Sequence, residues 1–307
     1  MADRNGAPRL SVVVTLVDGG DQLRRCLDAL TRQTGAPELE VLIPFDDTAG
    51  DLSALRQEFP EFRFMSLGAL PTEKTPASPA GQHELFDRRR AAALAAVTGE
   101  LVAMLEDRGV PRPDWAATFR DLHARLPHEV IGGAIDWAGR GIWSWAVYAC
   151  DFSRYESVNP AGARTFVSDV NLCYKRRAVD ATRALWKERY HEPQVHDQLR
   201  RQGAVLWFAP DAVVEESRRG LRLTPLLAER FAWGRLYAAV RVTGAPLTQR
   251  ALRALATLVL PVLLYLRIAR RHGGRVPGRL ALATPALFLL LVAWSLGECA
   301  GYLTGES

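Results

Sequence analysis

The stretch RRRAAALAAVTGELVAMLED, residues 88–107, decides the fold. Extended back to His83, its first half reads as a helix rich in alanine and leucine, and its second half as a short apolar strand ending on two carboxylates, Glu106 and Asp107. The same alternation runs upstream. LSVVVTLV (10–17) is a β-branched strand, DQLRRCLDALTRQ (21–33) places Leu23, Cys26, Leu27 and Leu30 on one helical face, and LEVLIPF (39–45) is a second buried strand. A polar turn DDTAGD, a helix DLSALRQEF, a strand FRFMSL and a proline-rich loop from Pro71 to Pro79 complete the series. Strands alternating with helices predict right-handed βαβ units, hence an α/β fold with a Rossmann-like, mainly parallel sheet and helices on both faces. Ligands of such sheets bind beyond the carboxyl ends of the strands, so FDD (45–47) and LEDRG (105–109) are expected to face one crevice. After residue 130 the pattern turns irregular. Neither GxGxxG nor GxxxxGK[ST] occurs, which argues against dehydrogenase and P-loop chemistry.

The chain has 307 residues, 48% hydrophobic and 24% charged, enough for a sizeable core. From Leu280 to Gly297 no residue is charged, and a helix there approaches the ~30 Å thickness of the hydrocarbon layer, so one membrane span is expected over 280–303. ALATLVLPVLLYL (254–266) is shorter and contains Pro261, and is read as an interfacial or re-entrant helix over 251–268. Between them RIARRHGGRVPGR carries five arginines and no acid, a positive-inside signal that places this loop in the cytosol; the alternative is a two-helix hairpin with a basic outer loop. The N-terminal MADRNGAPRLSVVV lacks a long apolar core, so no cleaved signal is expected and residues 1–244 form a cytosol-facing domain ahead of a membrane-associated region, 245–307. The net charge of +5 gathers beside the apolar segments, which points to anionic lipid headgroups and not to nucleic acid. Four widely spaced cysteines without a CxxC spacing are expected to be buried free thiols in a reducing compartment.

Taken in order, these pieces resemble the inverting family 2 glycosyltransferases of GT-A fold, of the bacterial membrane-attached type. The resemblance covers residues 10 to about 241 and rests on LSVVVTLVDGGDQLRRCLDAL, LIPFDD, RRRAAALAAVTGELVAMLED and GVPRPDW, the last against the family's usual VVPxPGW. It implies transfer of a sugar, with inversion, from a nucleotide-diphosphate sugar to a polysaccharide or lipid-linked acceptor at the cytoplasmic (inner) membrane. By resemblance, Asp46 binds the nucleobase or ribose, with Asp47 as the alternative one residue on, and Arg90 approaches the diphosphate. Glu106 and Asp107 occupy the first positions of the acidic metal motif, and Mg²⁺ or Mn²⁺ would be held by Asp107 with Glu106 and Glu216.

The chain departs from the family at several positions. Arg108 stands where the last aspartate is usual, Glu216 where many relatives carry histidine, and Leu16 and Asp18 replace an opening threonine and asparagine. Either the metal is retained, or Arg108 supplies part of the positive charge to the diphosphate, or Arg108 merely pairs with Glu106 or a neighbour. The inverting reaction needs a general base, and counting back from Gly203 in HEPQVHDQLRRQG assigns it to Glu192, with Asp197 as substitute; beside Pro193, Glu192 also reads as a helix N-terminal carboxylate. Asn171 matches the asparagine of a GxNxAxRR loop and could hold donor or acceptor hydroxyls, with Asp169 in place of the glycine. Trp233 and Arg235, in a helix loosely similar to QxxRW, are acceptor-binding candidates that also read as core and solvated edge. Trp137, Trp143 and Trp145 read equally as acceptor platform or interface anchors. A degenerate domain that binds a nucleotide sugar or a partner at the membrane without turnover is the competing function.

Overall fold

A computed structural model describes residues 9–218, 220–242 and 244–305. In chain order the elements are β1 (Leu10–Thr15), α1 (Gly20–Thr31), β2 (Leu39–Phe45), α2 (Ser53–Glu58), β3 (Arg63–Ser66), α3 (Pro79–Ala96), β4 (Leu101–Glu106), β5 (Gly109–Pro111), α4 (Trp115–Arg125) and β6 (Val130–Trp137). They continue as α5 (Ile142–Asp151), β7 (Gly162–Arg164), β8 (Asn171–Lys175), α6 (Arg176–Ala181), α7 (Arg183–Trp186), α8 (Glu192–Arg201), β9 (Leu206–Glu216), α9 (Leu223–Arg241), α10 (Leu247–Ala256), α11 (Leu260–His272) and α12 (Pro277–Thr304). Two compact units result. The first takes in the chain up to Thr72, Glu84–Asp136 and Tyr155–Glu216; the second takes in Glu73–His83, Trp137–Arg154 and the chain from Ser217. MADRNGAP (1–8), the start of the stretch in which no leader is expected, lies outside the described residues.

In the first unit, nine strands among the described residues form one sheet in the order β3-β2-β1-β4-β8-β6-β9-β5, with β7 on β9. The half expected from the alternating sequence is parallel: β1 pairs with β2 and β4, and β2 with β3. All six residues of β1 are buried, which is why LSVVVT reads as a continuous apolar run and not as an alternation. The irregular sequence after residue 130 folds into the antiparallel half, where β4 pairs with β8, β8 with β6, and β9 with both β5 and β7. Register places Thr15 at the end of β1 opposite Glu106 at the end of β4, so Leu16–Gly19 and Asp107–Arg108 leave the sheet side by side.

The second unit is helical. Residues 142–151, which gave no periodic signal, form α5 with Trp145, Val147 and Tyr148 buried. The 28-residue α12 has a mean hydropathy of 2.0 over its most apolar 18-residue window and is by length and composition able to cross a membrane, although half of that window is buried within the structure. The segment expected to be interfacial or re-entrant is two helices, α10 and α11, bent by 52° at Thr257–Val259. Pro261 lies in the first turn of α11, where it starts the helix and leaves no donor unsatisfied. Leu247, Leu252, Leu255 and Leu258 are largely exposed along this bent pair.

Helices α9 and α12 meet backbone to backbone. A Cβ added to Gly297 would lie 2.0 Å from the Phe231 carbonyl oxygen, one on Gly301 2.3 Å from that of Arg235, and one on Gly234 2.2 Å from that of Trp294. The spacing of Gly297 and Gly301 is the small-residue signature of close helix pairs. Gly297→Val is therefore expected to destabilise this unit by at least the ~1–3 kcal/mol typical of overpacking, read as a lowered melting temperature in detergent, whereas the same change at Gly278, whose Cβ would meet nothing within 4 Å, leaves it unchanged. The four cysteines are free thiols, Cys26 and Cys173 buried, Cys150 and Cys299 half-buried.

Candidate functional site

The loop from β1 to α1 is built around Asp107. Its Oδ2 accepts hydrogen bonds from the backbone amides of Val17 (3.1 Å), Asp18 (3.0 Å) and Gly19 (2.6 Å), while Oδ1 has a longer contact, 3.4 Å, with the amide of Asp18. Three successive N–H groups converging on one point form an anion-binding nest at a helix N-terminus. Gly19 (φ 67°) and Gly20 (φ 51°) supply the left-handed backbone that side chains resist. Burial pushes the Asp107 carboxyl up to about 7, against the pull of the Gly19 and Val17 amides. Arg108 forks onto Asp18 at 2.8 and 2.6 Å. Arg108 thus has Asp18 as a pairing neighbour, while Glu106 pairs with Arg90.

Two adjacent arginines of α3 grip the end of β1. Arg90 donates to Thr15 Oγ1 (2.9 Å), to Glu106 Oε1 (3.0 Å) and to Asp169 Oδ2 (2.8 Å). The guanidinium, expected to approach a diphosphate, is buried and paired with two carboxylates of the fold. Arg89, which the sequence reading passed over, donates to Asp46 Oδ2, the Leu16 carbonyl and Thr48 Oγ1, each at 2.9 Å. Asp46 in turn accepts the amide and hydroxyl of Thr48, both at 2.7 Å. Against burial, which pushes it up, Arg89 and Thr48 hold the Asp46 carboxyl below the usual carboxylate range. Asp46 is buried and Asp47 exposed, so of this pair Asp47 is the one turned to solvent.

A second carboxyl pair lies beyond Arg90. Asp169 lies beside Glu192; burial pushes its carboxyl up, with Glu192 pushing the same way and Arg90 pulling it down. Glu192 opens α8 beside Pro193, in a first turn that favours a carboxylate, and its Oε1 lies 3.3 Å from His196 Nδ1. Both carboxyls keep a share of solvent, 15% for Asp169 and 19% for Glu192, whereas the ring of His196 is 1% exposed. The chain Glu106–Arg90–Asp169–Glu192 thus links the carboxyl end of β4 to the start of α8.

The remaining candidates lie elsewhere. Asp197, expected as the substitute base, is half-exposed and pairs with Arg200 (2.9 Å) and Arg201 (2.6 Å) of its own helix. Asn171 is fully buried: its Nδ2 donates to the carbonyls of Ala134 (2.7 Å) and Ala212 (2.9 Å), and its Oδ1 accepts Trp115 Nε1 (2.9 Å). It locks β6, β8 and β9 together, with its Nδ2 and Oδ1 both engaged within the fold. Glu216 is buried at the end of β9, opposite Gly109. Among the described residues no three His, Cys, Asp or Glu side chains are grouped so as to hold a metal ion by themselves. In the second unit, Trp233 stands edge-on to His83 with ring centroids 4.5 Å apart, and with Arg235, Phe231, Leu236 and Pro79 it lines a cleft of about 180 Å³. Trp145 is core, edge-on to His272, Trp137 lies under Arg279, and Trp143 is exposed. A larger cleft, about 410 Å³, lies among Gly99, Arg120 and Lys175–Arg177, at the start of β4 and the end of β8 and therefore remote from the carboxyl ends of the parallel strands.

No family model matches the chain, and no curated protein matches it in sequence. Solved structures do match in fold. A mannosyltransferase from Pyrobaculum calidifontis, PcManGT, in complex with GDP-Man and Mn²⁺, superposes with a TM-score of 0.52 at 16% identity, over 96% of this chain and 88% of that one. TarS from S. aureus, residues 1–349, superposes with a TM-score of 0.50 at 15% identity, over 97% of this chain and 90% of that one. The fold is that of glycosyltransferases. At these identities the likeness speaks for the arrangement of the chain, and the chemistry has to be argued from its own residues.

Proposed function

We propose that this protein is a membrane-attached family 2 glycosyltransferase that moves a hexosyl group, with inversion, from a nucleotide-diphosphate sugar to a polysaccharide or lipid-linked acceptor on the cytosolic side of the inner membrane. The observation that carries this reading is the Glu192–Asp169 pair, partly open to solvent and tied through Arg90 to the carboxyl end of β4. Glu192 takes the proton of the acceptor hydroxyl; the oxygen attacks the anomeric carbon from the face opposite the diphosphate, and the nucleoside diphosphate leaves with the bonding pair. Because the pair holds a proton when Asp169 is protonated, turnover rises from acid to neutral pH. In this reading Asp47 binds the nucleoside, and Trp233 and Arg235, which line a cleft, bind the acceptor.

Positive charge must meet the leaving diphosphate. In this reading Arg108 supplies part of it. Asp107 Oδ2 is saturated by three amides, but Oδ1 has a single long contact, and a divalent ion that takes only one or two carboxylates from the protein and its other ligands from the diphosphate fits that donor set. When bound, such an ion would neutralise the charge that develops as the glycosidic bond breaks.

The full-length protein in detergent is expected to be stabilised by one of GDP-mannose, UDP-glucose and UDP-N-acetylglucosamine, by about 2.7 kcal/mol at a hundredfold excess over Kd, and more strongly with Mn²⁺ than with EDTA. No shift under either condition would contradict the reading. A second reading, a domain that binds a nucleotide sugar without turnover, is favoured by the engagement of Asp107 and Arg108 in holding their own loop; stabilisation without release of nucleoside diphosphate would select it. Membrane attachment rests on α12 and on the exposed leucines of α10 and α11. Full-length protein should stay in the membrane pellet through carbonate extraction, and release by high salt alone would limit attachment to the basic loop.

A further inference from the structure

Four residues after Glu192, and therefore on the same face of α8, His196 presents its ring to the base. Its Nε2 lies 2.7 Å from the Tyr174 hydroxyl, which lies 2.6 Å from the Tyr190 hydroxyl. All three rings are buried, and burial holds both phenols far up in their hydroxyl form. Nδ1 of His196, on the other edge, has no hydrogen-bond partner within the fold, and the group it faces is the Glu192 carboxylate, 3.3 Å away. A buried ring nitrogen is costly without a partner, and a carboxylate can only accept, so the contact is completed when Nδ1 carries a hydrogen. The Tyr174 hydroxyl, backed by that of Tyr190, fixes the imidazole by its Nε2 edge and leaves Nδ1 beside the Glu192 carboxylate. On the other side Glu192 has Asp169 as its neighbour, itself clamped by Arg90 at 2.8 Å.

We propose that His196 is a positioning residue for the base: its Nδ1–H, held in place by Tyr174 and Tyr190, orients the Glu192 carboxylate opposite Asp169 for proton abstraction from the acceptor hydroxyl. This rests on the reading of Glu192 as general base. Misplacing a reacting group by about 1 Å costs on the order of a hundredfold, and loss of the Nδ1 donor is expected to act on that scale.

The test uses the full-length protein with ¹⁵N-labelled histidine, the His196 signals being assigned by their loss in His196→Asn. Nδ1 is expected to be protonated in the resting protein, and a bare Nδ1 overturns the inference whatever the turnover shows. Turnover is then followed as release of nucleoside diphosphate from whichever of the three nucleotide sugars stabilises the protein. Asparagine can place an N–H near the position of Nδ1, so His196→Asn should stay within about threefold of wild type, while His196→Phe falls ~10–100-fold with an unchanged KM for the donor. If His196→Phe fails to fold, a His196→Asn protein that folds but has lost turnover overturns the proposal, as does full turnover in His196→Phe. A wild type that releases no nucleoside diphosphate contradicts the transfer reading instead, and the protonation of Nδ1 still decides whether the contact exists.

Discussion

Glu192→Gln lowers turnover by roughly 10²–10⁴-fold, the usual contribution of a positioned general base, while the donor binds as in the wild type. The variant keeps the size of the side chain and its ability to bond Asp169 and to face His196, and removes only the basicity. Asp197 cannot take over, since it lies five positions further along α8, paired with Arg200 and Arg201. Nucleoside diphosphate release under saturating donor, compared with donor affinity by calorimetry, separates the two effects. Turnover within tenfold of wild type would remove Glu192 from the chemistry.

Arg89→Met destabilises the first unit by about 3–5 kcal/mol, the scale for leaving one member of a buried ion pair alone. Arg89 and Asp46 are 3% and 1% exposed, and methionine would leave the Asp46 carboxylate, the Leu16 carbonyl and Thr48 Oγ1 without the guanidinium that now binds all three. Because Asp46 is held below its ordinary range in the folded wild type, the stability it contributes is present above the unfolded value and lost as pH falls through the folded one. The gap between wild type and variant should therefore narrow below pH ~4, where the unfolded carboxylate is protonated, and Asp46→Asn added to Arg89→Met should recover part of the loss. Urea titrations at two pH values measure both. A penalty below about 1 kcal/mol at neutral pH would mean that the pair is solvated and does not hold the end of β1.

The parallel half of the sheet was legible because β1, β2 and β4 are continuous apolar strands separated by helices, and burial on both faces writes itself directly into composition. The antiparallel half was not. β5 and β7 have three residues each, β9 carries Pro210 within it, and β6 carries Gly132 and Gly133, the second because a Cβ there would lie 2.2 Å from the Ala212 carbonyl oxygen. Among site residues, the acidic pair at the end of β4 was visible as carboxylates after an apolar run, but what they bind was not. The nest that takes Asp107 is made of backbone amides, which sequence does not display. Arg89 was hidden beside Arg90, although two buried arginines in an alanine-rich helix imply partners of opposite charge. Asn171 looked like a ligand-binding residue since a buried amide joining three strands and a solvent-facing one have the same letter. His196 had one sequence signal, its offset of four from Glu192, and acquires meaning only when Tyr174 and Tyr190 close behind it.

Inversion through Glu192 is most directly tested by the anomeric proton of the released sugar. The full-length protein should be incubated with the nucleotide sugar that stabilises it, water taking the place of the acceptor hydroxyl, and the first-formed free sugar followed by ¹H NMR before mutarotation, in wild type and in Glu192→Gln. The account predicts an anomeric configuration opposite to that of the donor in the wild type and almost no product in the variant. A product that keeps the donor configuration, or equal consumption of donor by both proteins, would contradict it.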